Sequence, residues 1–587
     1  LKTAFAIVTL SGLLSACAVA PRGAPPAAAP VAPETVRSTD APAPPAALPS
    51  VPLTSELLYK LLKAELDFQA GAWQGPYIAL LGAAQETRDP RLAQRAAEMA
   101  LAAKQATEAM AAITLWRELA PESEEAAQYY LGFSIMSGDF ERVEPVLAAR
   151  LAETPPAARG GALFQVQQLL GRARDKRGAA RAMQRLAAPY QDLFEARIVL
   201  SQSAHALGDN EQAQAEARAA LARKPDAELA VLALAQATSG DDAVAAVLAD
   251  FLAAHPQARE VRAAYARVLV NRKEFRAARD QFTHLLEGQP DHLGTLYALG
   301  ILSLQLDEPQ VAERHLTRFM EVYGAHPDDE RDPSKVLMML AQIAEDRGEY
   351  AAAQAWLDKV AADNPQAQLL ARLKLAQLQG KQGQLSAAAA TLDAIDTEDR
   401  DQQAQVALTR GQILRDAGKF DAAYKALEAA ARRFPGNPDV LYDFALAAEK
   451  VGKVDVMETT LREVIAQAPE NHHAYNALGY SLAERNVRLD EARQLIDKAL
   501  KMAPDDPFIM DSMGWVEYRL GNLRQAEEML RRAYALRTDP EIGVHLAEVL
   551  WKTGKREDAQ KLLREARAKD PKNDTLRSTL ARLNLKL

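Results

Sequence analysis

The chain has 587 residues, 48% of them apolar and 25% charged, with aromatics at only 6% and a formal net charge of −9. A single hydrophobic core stops growing near ~250–300 residues, so this length implies several domains or one long repeat array. The acidic balance argues against a general phosphate-binding surface. The abundance of alanine favours helix. One cysteine, Cys17, excludes an intramolecular disulfide and any cysteine-based zinc site.

At the amino terminus, Lys2 precedes an apolar run from Thr3 to Leu14, and Ser15-Ala16-Cys17 follows. A positive residue, a short apolar stretch and small residues form the pattern of a secretory signal peptide over 1–16. The run is shorter than the roughly 20 residues of a membrane-spanning helix. Leu14-Ser15-Ala16-Cys17 resembles the lipobox of bacterial lipoproteins. The resemblance implies cleavage before Cys17, lipidation of Cys17, and, since Ala18 follows rather than aspartate, sorting to the outer membrane. The alternative is a simple secreted protein whose leader contains a cysteine. Leu1 in place of methionine and a thin positive region depart from the pattern. Residues 17–53 are rich in proline and alanine and have no apolar periodicity. They are expected to form a disordered, semi-extended tether of roughly 100 Å at full reach, holding the folded part away from a membrane.

From Thr54 onward the sequence predicts helix after helix. Within residues 54–258, residues 54–190 show helix-length amphipathic runs but a blurred period, with Thr54 as an N-cap and Leu57, Leu58, Tyr59, Leu61 and Leu62 opening the first helix. Gly208, Ala213, Ala217, Ala220 and Pro225 make one recognisable repeat unit. The rest of this half reads as degenerate helical hairpins continuing one stack, with a separate helical domain as the alternative.

From 259 to 587 the repetition is plain. Ala278, Ala312, Ala353, Ala388, Ala423, Met457, Ala492, Ala526 and Ala559 follow one another at spacings of 34, 41, 35, 35, 34, 35, 34 and 33 residues. Gly300, Ala341, Ala376, Gly411, Ala445, Gly479 and Gly514 keep the same phase, as do prolines at unit ends and glycines at hairpin turns. Apolar residues four and seven positions after each of these residues, large at the first of the two, mark one buried helix face. The pattern resembles the tetratricopeptide repeat (TPR) family, whose period is about 34 residues. The resemblance implies an all-α superhelical solenoid of stacked helical hairpins; an irregular helical bundle is the alternative. Met457, an extra residue at Val487 or Arg488, and the 41-residue gap with an acidic loop at 326–333 depart from the pattern. That loop lacks the order of a calcium site.

No His-Glu-x-x-His, Gly-x-Ser-x-Gly or phosphate-loop pattern is present. His472 and His473 are adjacent on a helix and point apart, a poor arrangement for one metal ion. The expectation is therefore a non-enzymatic protein with no catalytic residue, cofactor or metal. In the TPR family, positions 2, 5, 9, 12 and 13 of each first helix face the groove. Carried over to this sequence they give His473, Asn476, Tyr480 and Glu484, then Phe508, Asp511, Trp515, Tyr518 and Arg519, then Val544, Glu548, Trp551 and Lys552. The partner-binding groove is expected at Asn476, Tyr480, Asp511, Trp515, Tyr518, Glu548 and Trp551, with the aromatics as anchors. The bland reading is that some of these aromatics fill the hairpin core.

The stretches LYKLLKAELDFQAG, TRDPRLAQRAAEMAL, NALGYSLAERNVRLDEA, DSMGWVEYRLG and HLAEVLWKTG are more specific than the generic repeat. With them the chain resembles the large proteobacterial outer-membrane TPR lipoproteins that partner a periplasmic carboxyl-terminal processing protease. The resemblance implies an adaptor on the periplasmic face of the outer membrane. It would recruit and activate the protease and present cell-wall hydrolases to it. It implies protein partners and a lipid anchor, with no nucleic acid or small-molecule substrate. The rivals are a scaffold of an envelope export or pilus assembly complex and, without a motif to support it, an enzyme such as a glycan hydrolase.

Overall fold

A computed structural model describes residues 49–325, 332–360 and 364–586. The residues expected to form a signal peptide, Cys17, nearly all of the expected tether and most of the acidic loop lie outside the described residues. The described chain forms thirty-one α-helices from Ser55 to Leu583, and no strand is found among the described residues. Two compact units divide it, one ending at Phe319 and the other beginning at Met320.

Local chemistry explains the helix boundaries of the second unit. The first helix of each late hairpin is capped by the side chain of Asn437, Asn471, Asp506 or Asp539, which accepts from backbone N–H groups of the opening turn. Pro438, Pro507 and Pro540 follow directly, at the position where a missing N–H costs nothing. The hairpin turn then needs a left-handed residue. Gly521 takes it at φ 89°, whereas in the preceding hairpin Asn486 and Arg488 both adopt positive φ. The irregularity at 487–488 is thus absorbed as a longer turn.

Close approach of the paired helices explains the small residues of the repeat. A Cβ on Gly479 would lie 2.6 Å from Cγ1 of Ile496 and 2.9 Å from the carbonyl of Ala492, and one on Gly514 would lie 2.5 Å from Cγ of Leu530. Ala492, Ala526 and Ala559 are fully buried on the opposing helices, as are Ile496, Leu530 and Leu563. Met457 replaces an alanine of this series and is buried too.

The apolar interior is a succession of local clusters. In the second unit, one runs from Tyr424 to Val516 and another from Ala526 to Leu576. In the first, Ala64–Tyr130 and Leu131–Leu200 bound two more. Stability of such an array is the sum of neighbouring interfaces. In the first unit, Pro145 lies inside the helix Phe140–Glu153, and short 3-10 turns occur at Pro156–Ala158 and Ala188–Tyr190.

Candidate partner-binding site

Three successive first helices, His472–Glu484, Pro507–Arg519 and Pro540–Lys552, carry the residues assigned to the groove, and the final helix Asp574–Leu583 packs beside the last of them. The structure brings most of these residues together, but as an interlocked cluster. Trp515 is 0% exposed. Its ring stacks on His545 at 4.2 Å between centroids, with Tyr518 at 5.1 Å. The guanidinium groups of Arg519 and Arg582 lie 4.8 and 5.7 Å from the indole centre. Its Nε1–H donates to Oε2 of Glu484 at 2.7 Å.

Asp511 is also buried, and its two carboxylate oxygens lie 3.0 and 2.9 Å from Nδ1 of His545. His545 is fully enclosed. Burial works against a charged ring there, but the adjacent carboxylate of Asp511 outweighs it, helped by Glu541 and Glu484, and the imidazole pKa is raised. Glu548 is buried as well. It accepts from Oγ1 of Thr579 at 2.9 Å, from Nη2 of Arg582 at 2.8 Å and from the hydroxyl of Tyr518 at 3.2 Å. Burial, then the Glu548 charge, pushes the Tyr518 phenol up to about 12.

Tyr480 is half-buried. Its hydroxyl donates to Oε1 of Glu541 at 3.3 Å, two first-helices further along the stack, and its pKa is raised mainly by burial. Asn476 is half-buried, with its Oδ1 enclosed and lacking a hydrogen-bond partner. Trp551 is half-buried and carries the Arg556 guanidinium at 5.2 Å from its ring centre. His473, Glu484, Phe508 and Lys552 are exposed, Arg519 is half-buried, and Val544 is buried. His472 and His473 stack at 4.0 Å, and partial desolvation of the ring, then the neighbouring imidazole, lowers the His473 pKa.

The groove expectation therefore needs a correction at three positions. Asp511, Trp515 and Glu548 are closed off by their neighbours and by Thr579 and Arg582 of the final helix, so they hold the repeats together and do not present themselves to a partner. Tyr480, Tyr518, Trp551 and Asn476 keep part of their surface. Sequence reasoning missed His545, Glu541, Thr579 and Arg582. His545 lies one position beyond a groove-facing site, and Glu541 and Glu548 share its helix face at i−4 and i+3. A histidine flanked by two carboxylates at helical spacing was the available signal of a charged cluster.

Tetratricopeptide-repeat family models match residues 195–219, 442–507 and 517–584, and a model of the tetratricopeptide repeat-like domain matches 314–448. The fold is an all-α stack of tetratricopeptide-type hairpins, and repeats of this kind serve as protein-binding scaffolds. The chain is 47% identical over 124 residues to TPR repeat-containing protein PA4667 of Pseudomonas aeruginosa. That match spans 21% of this chain and 21% of the relative's own length. Among solved structures, the thermophilic TPR protein TTC0263 of Thermus thermophilus is 27% identical, covering 31% of this chain and 100% of its own, with a TM-score of 0.29. MamA of Desulfovibrio magneticus is 18% identical, covering 30% and 99%, with a TM-score of 0.25.

Proposed function

We propose that the protein is a non-enzymatic adaptor, tethered by a lipid on Cys17 to the periplasmic face of the outer membrane. It recruits and activates a periplasmic carboxyl-terminal processing protease and presents cell-wall hydrolases to it. The resemblance of the quoted stretches supplies the partner class. The observation that carries a docking role is the first helix, Ser55–Gln69. Leu58, Leu62 and Leu66 form an i, i+4, i+8 stripe on it, and the last two are 55% and 64% exposed. Tyr59 beside them and Ile78 on the next helix are 65% and 67% exposed. A terminal hairpin of a repeat array ordinarily turns a polar face outward, as Arg577 and Ser578 do on the final helix. An apolar outer stripe at the first hairpin is a surface suited to a protein partner.

Affinity capture from detergent-solubilised envelopes tests this reading. The wild-type chain is expected to retain the protease and hydrolases. With Leu62→Glu and Leu66→Glu, protease retention is expected to fall on the order of thirtyfold, the equivalent of losing a ~2 kcal/mol hot spot, with the helical signal unchanged. Recovery of secretin or polysaccharide-synthase subunits in place of the protease overturns the reading. The anchor is tested separately. Cys17→Ser is expected to shift the protein from the membrane pellet to the soluble periplasmic fraction, and continued pelleting overturns the lipid tether.

A further inference from the structure

In the first unit, a cleft of about 580 Å³ opens between the helices Ala106–Leu119 and Glu124–Ser137. Its floor is apolar: Met110 and Ala111 of the helix Ala106–Leu119, and Phe133 and Met136 of the helix Glu124–Ser137. Met136 is 53% exposed. Arg142 and Arg174 line the rim, both exposed. Arg142 shares its charge with Asp139 at 3.0 Å, whereas Arg174 has no acidic partner among the described residues. Arg174 also belongs to a local reversal of charge. Residues 172–185 contain Arg172, Arg174, Lys176, Arg177, Arg181 and Arg185 against Asp175 alone, in a chain whose net charge is −9. Of these, Arg185 is engaged by Glu144.

We infer that this cleft is a second docking site, which takes an apolar peptide segment flanked by acidic residues from a partner protein. The volume falls within the range of ligand-binding pockets, enough for a few apolar side chains. Methionines form its adaptable apolar surface, as at sites that accept varied hydrophobic side chains. Arg174 and the basic segment that carries it give the rim a positive potential that attracts carboxylates and repels lysines, with Arg142 beside it in its pair with Asp139. The wall chemistry favours a peptide over a lipid acyl chain. Thr114 Oγ1 and Ser137 Oγ donate to the carbonyls of Met110 and Ser134 at 2.8 and 3.0 Å, which leaves their oxygen lone pairs to accept N–H groups of an extended backbone. An acyl chain has no use for such acceptors. The site is independent of the stripe on the first helix, so either can fail without the other.

Fluorescence polarisation on the full chain tests the inference. The probe is a labelled peptide with a leucine–phenylalanine–leucine core flanked on each side by glutamates. The control has the same core flanked by lysines. The glutamate peptide is expected to bind at least about tenfold more tightly at low salt, with the advantage shrinking as salt is added. Arg142→Glu with Arg174→Glu, both on exposed positions, is expected to abolish that preference while the thermal midpoint is unchanged. Ala111→Trp fills the floor and is expected to weaken both peptides alike. If Ala111→Trp lowers the midpoint, Met136→Glu at the mouth replaces it with the same expectation. No binding by the wild type, equal binding of the two peptides, or an unchanged preference after charge reversal overturns the inference. So does a preference for anionic phospholipid vesicles that displace the peptide from the same arginines.

Discussion

Trp515→Ala is expected to destabilise the C-terminal hairpins by about 3–5 kcal/mol, the range for truncating a large buried aromatic. The indole is the largest of the fully buried side chains. Its removal leaves a void between His545, Tyr518 and the two arginines, and strips Glu484 of the 2.7 Å bond from Nε1. Because neighbouring repeats stabilise one another, the loss is expected to concentrate in residues 507–583. Hydrogen exchange resolved along the sequence should show that segment opening first, and urea unfolding should show an early transition absent from the wild type. Trp515→Phe keeps the stacking surface but removes the donor. It is expected to cost only about 1–2 kcal/mol, since Glu484 is open enough to take water instead. An alanine variant that unfolds like wild type yet loses a protein partner would show that the indole is an interaction anchor after all.

The difference between an anchor and a keystone was not legible in the sequence, and the reason is geometric. The repeat period, the small residues at Gly479 and Gly514, the asparagine and aspartate caps and the proline starts all act within one hairpin or between adjacent ones. Each therefore leaves a periodic trace. The burial of Trp515 depends on contacts across longer separations. Tyr480 reaches Glu541 across 61 residues, and Arg582 of the final helix lies 5.7 Å from the centre of the Trp515 ring, two repeats away. Groove positions taken from a generic repeat assume an open inner face, whereas here three consecutive first helices and the final one converge tightly enough to fill it. The first unit was harder to read for the opposite reason. Pro145 within a helix and the 3-10 turns near 157 and 189 change local spacing without ending the hairpin stack. The period blurs while the packing persists. The cleft under Arg142 and Arg174 left no motif because its floor and rim come from three separate segments.

The same cluster makes stability depend on pH through the Asp511–His545 pair. The groups facing His545 are Asp511 and the stacked Trp515 on Pro507–Arg519, Tyr480 and Glu484 on His472–Glu484, and Glu541 on its own helix, with Arg519 and Arg582 beyond the indole. The pKa of His545 is raised in the folded protein, so the folded form holds the proton more tightly than the unfolded chain does. The stability this contributes is complete below the unfolded value of about 6.5 and is lost as pH rises through the higher folded value. The unfolding midpoint of the C-terminal hairpins should therefore fall between mildly acidic and mildly alkaline buffer at fixed ionic strength. Asp511→Ala leaves the enclosed ring without its counter-charge. The expected loss is about 3–5 kcal/mol at neutral pH, the cost of breaking one side of a buried ion pair. Asp511→Asn preserves the shape but removes the charge that outweighed burial, so the loss of stability with rising pH should disappear or reverse. Thermal melts followed by indole fluorescence, with the His545 ring titrated by NMR, measure both quantities. A slope that survives Asp511→Asn unchanged would assign the pH dependence to another group, and would leave the pair as a hydrogen bond between Asp511 and a neutral ring.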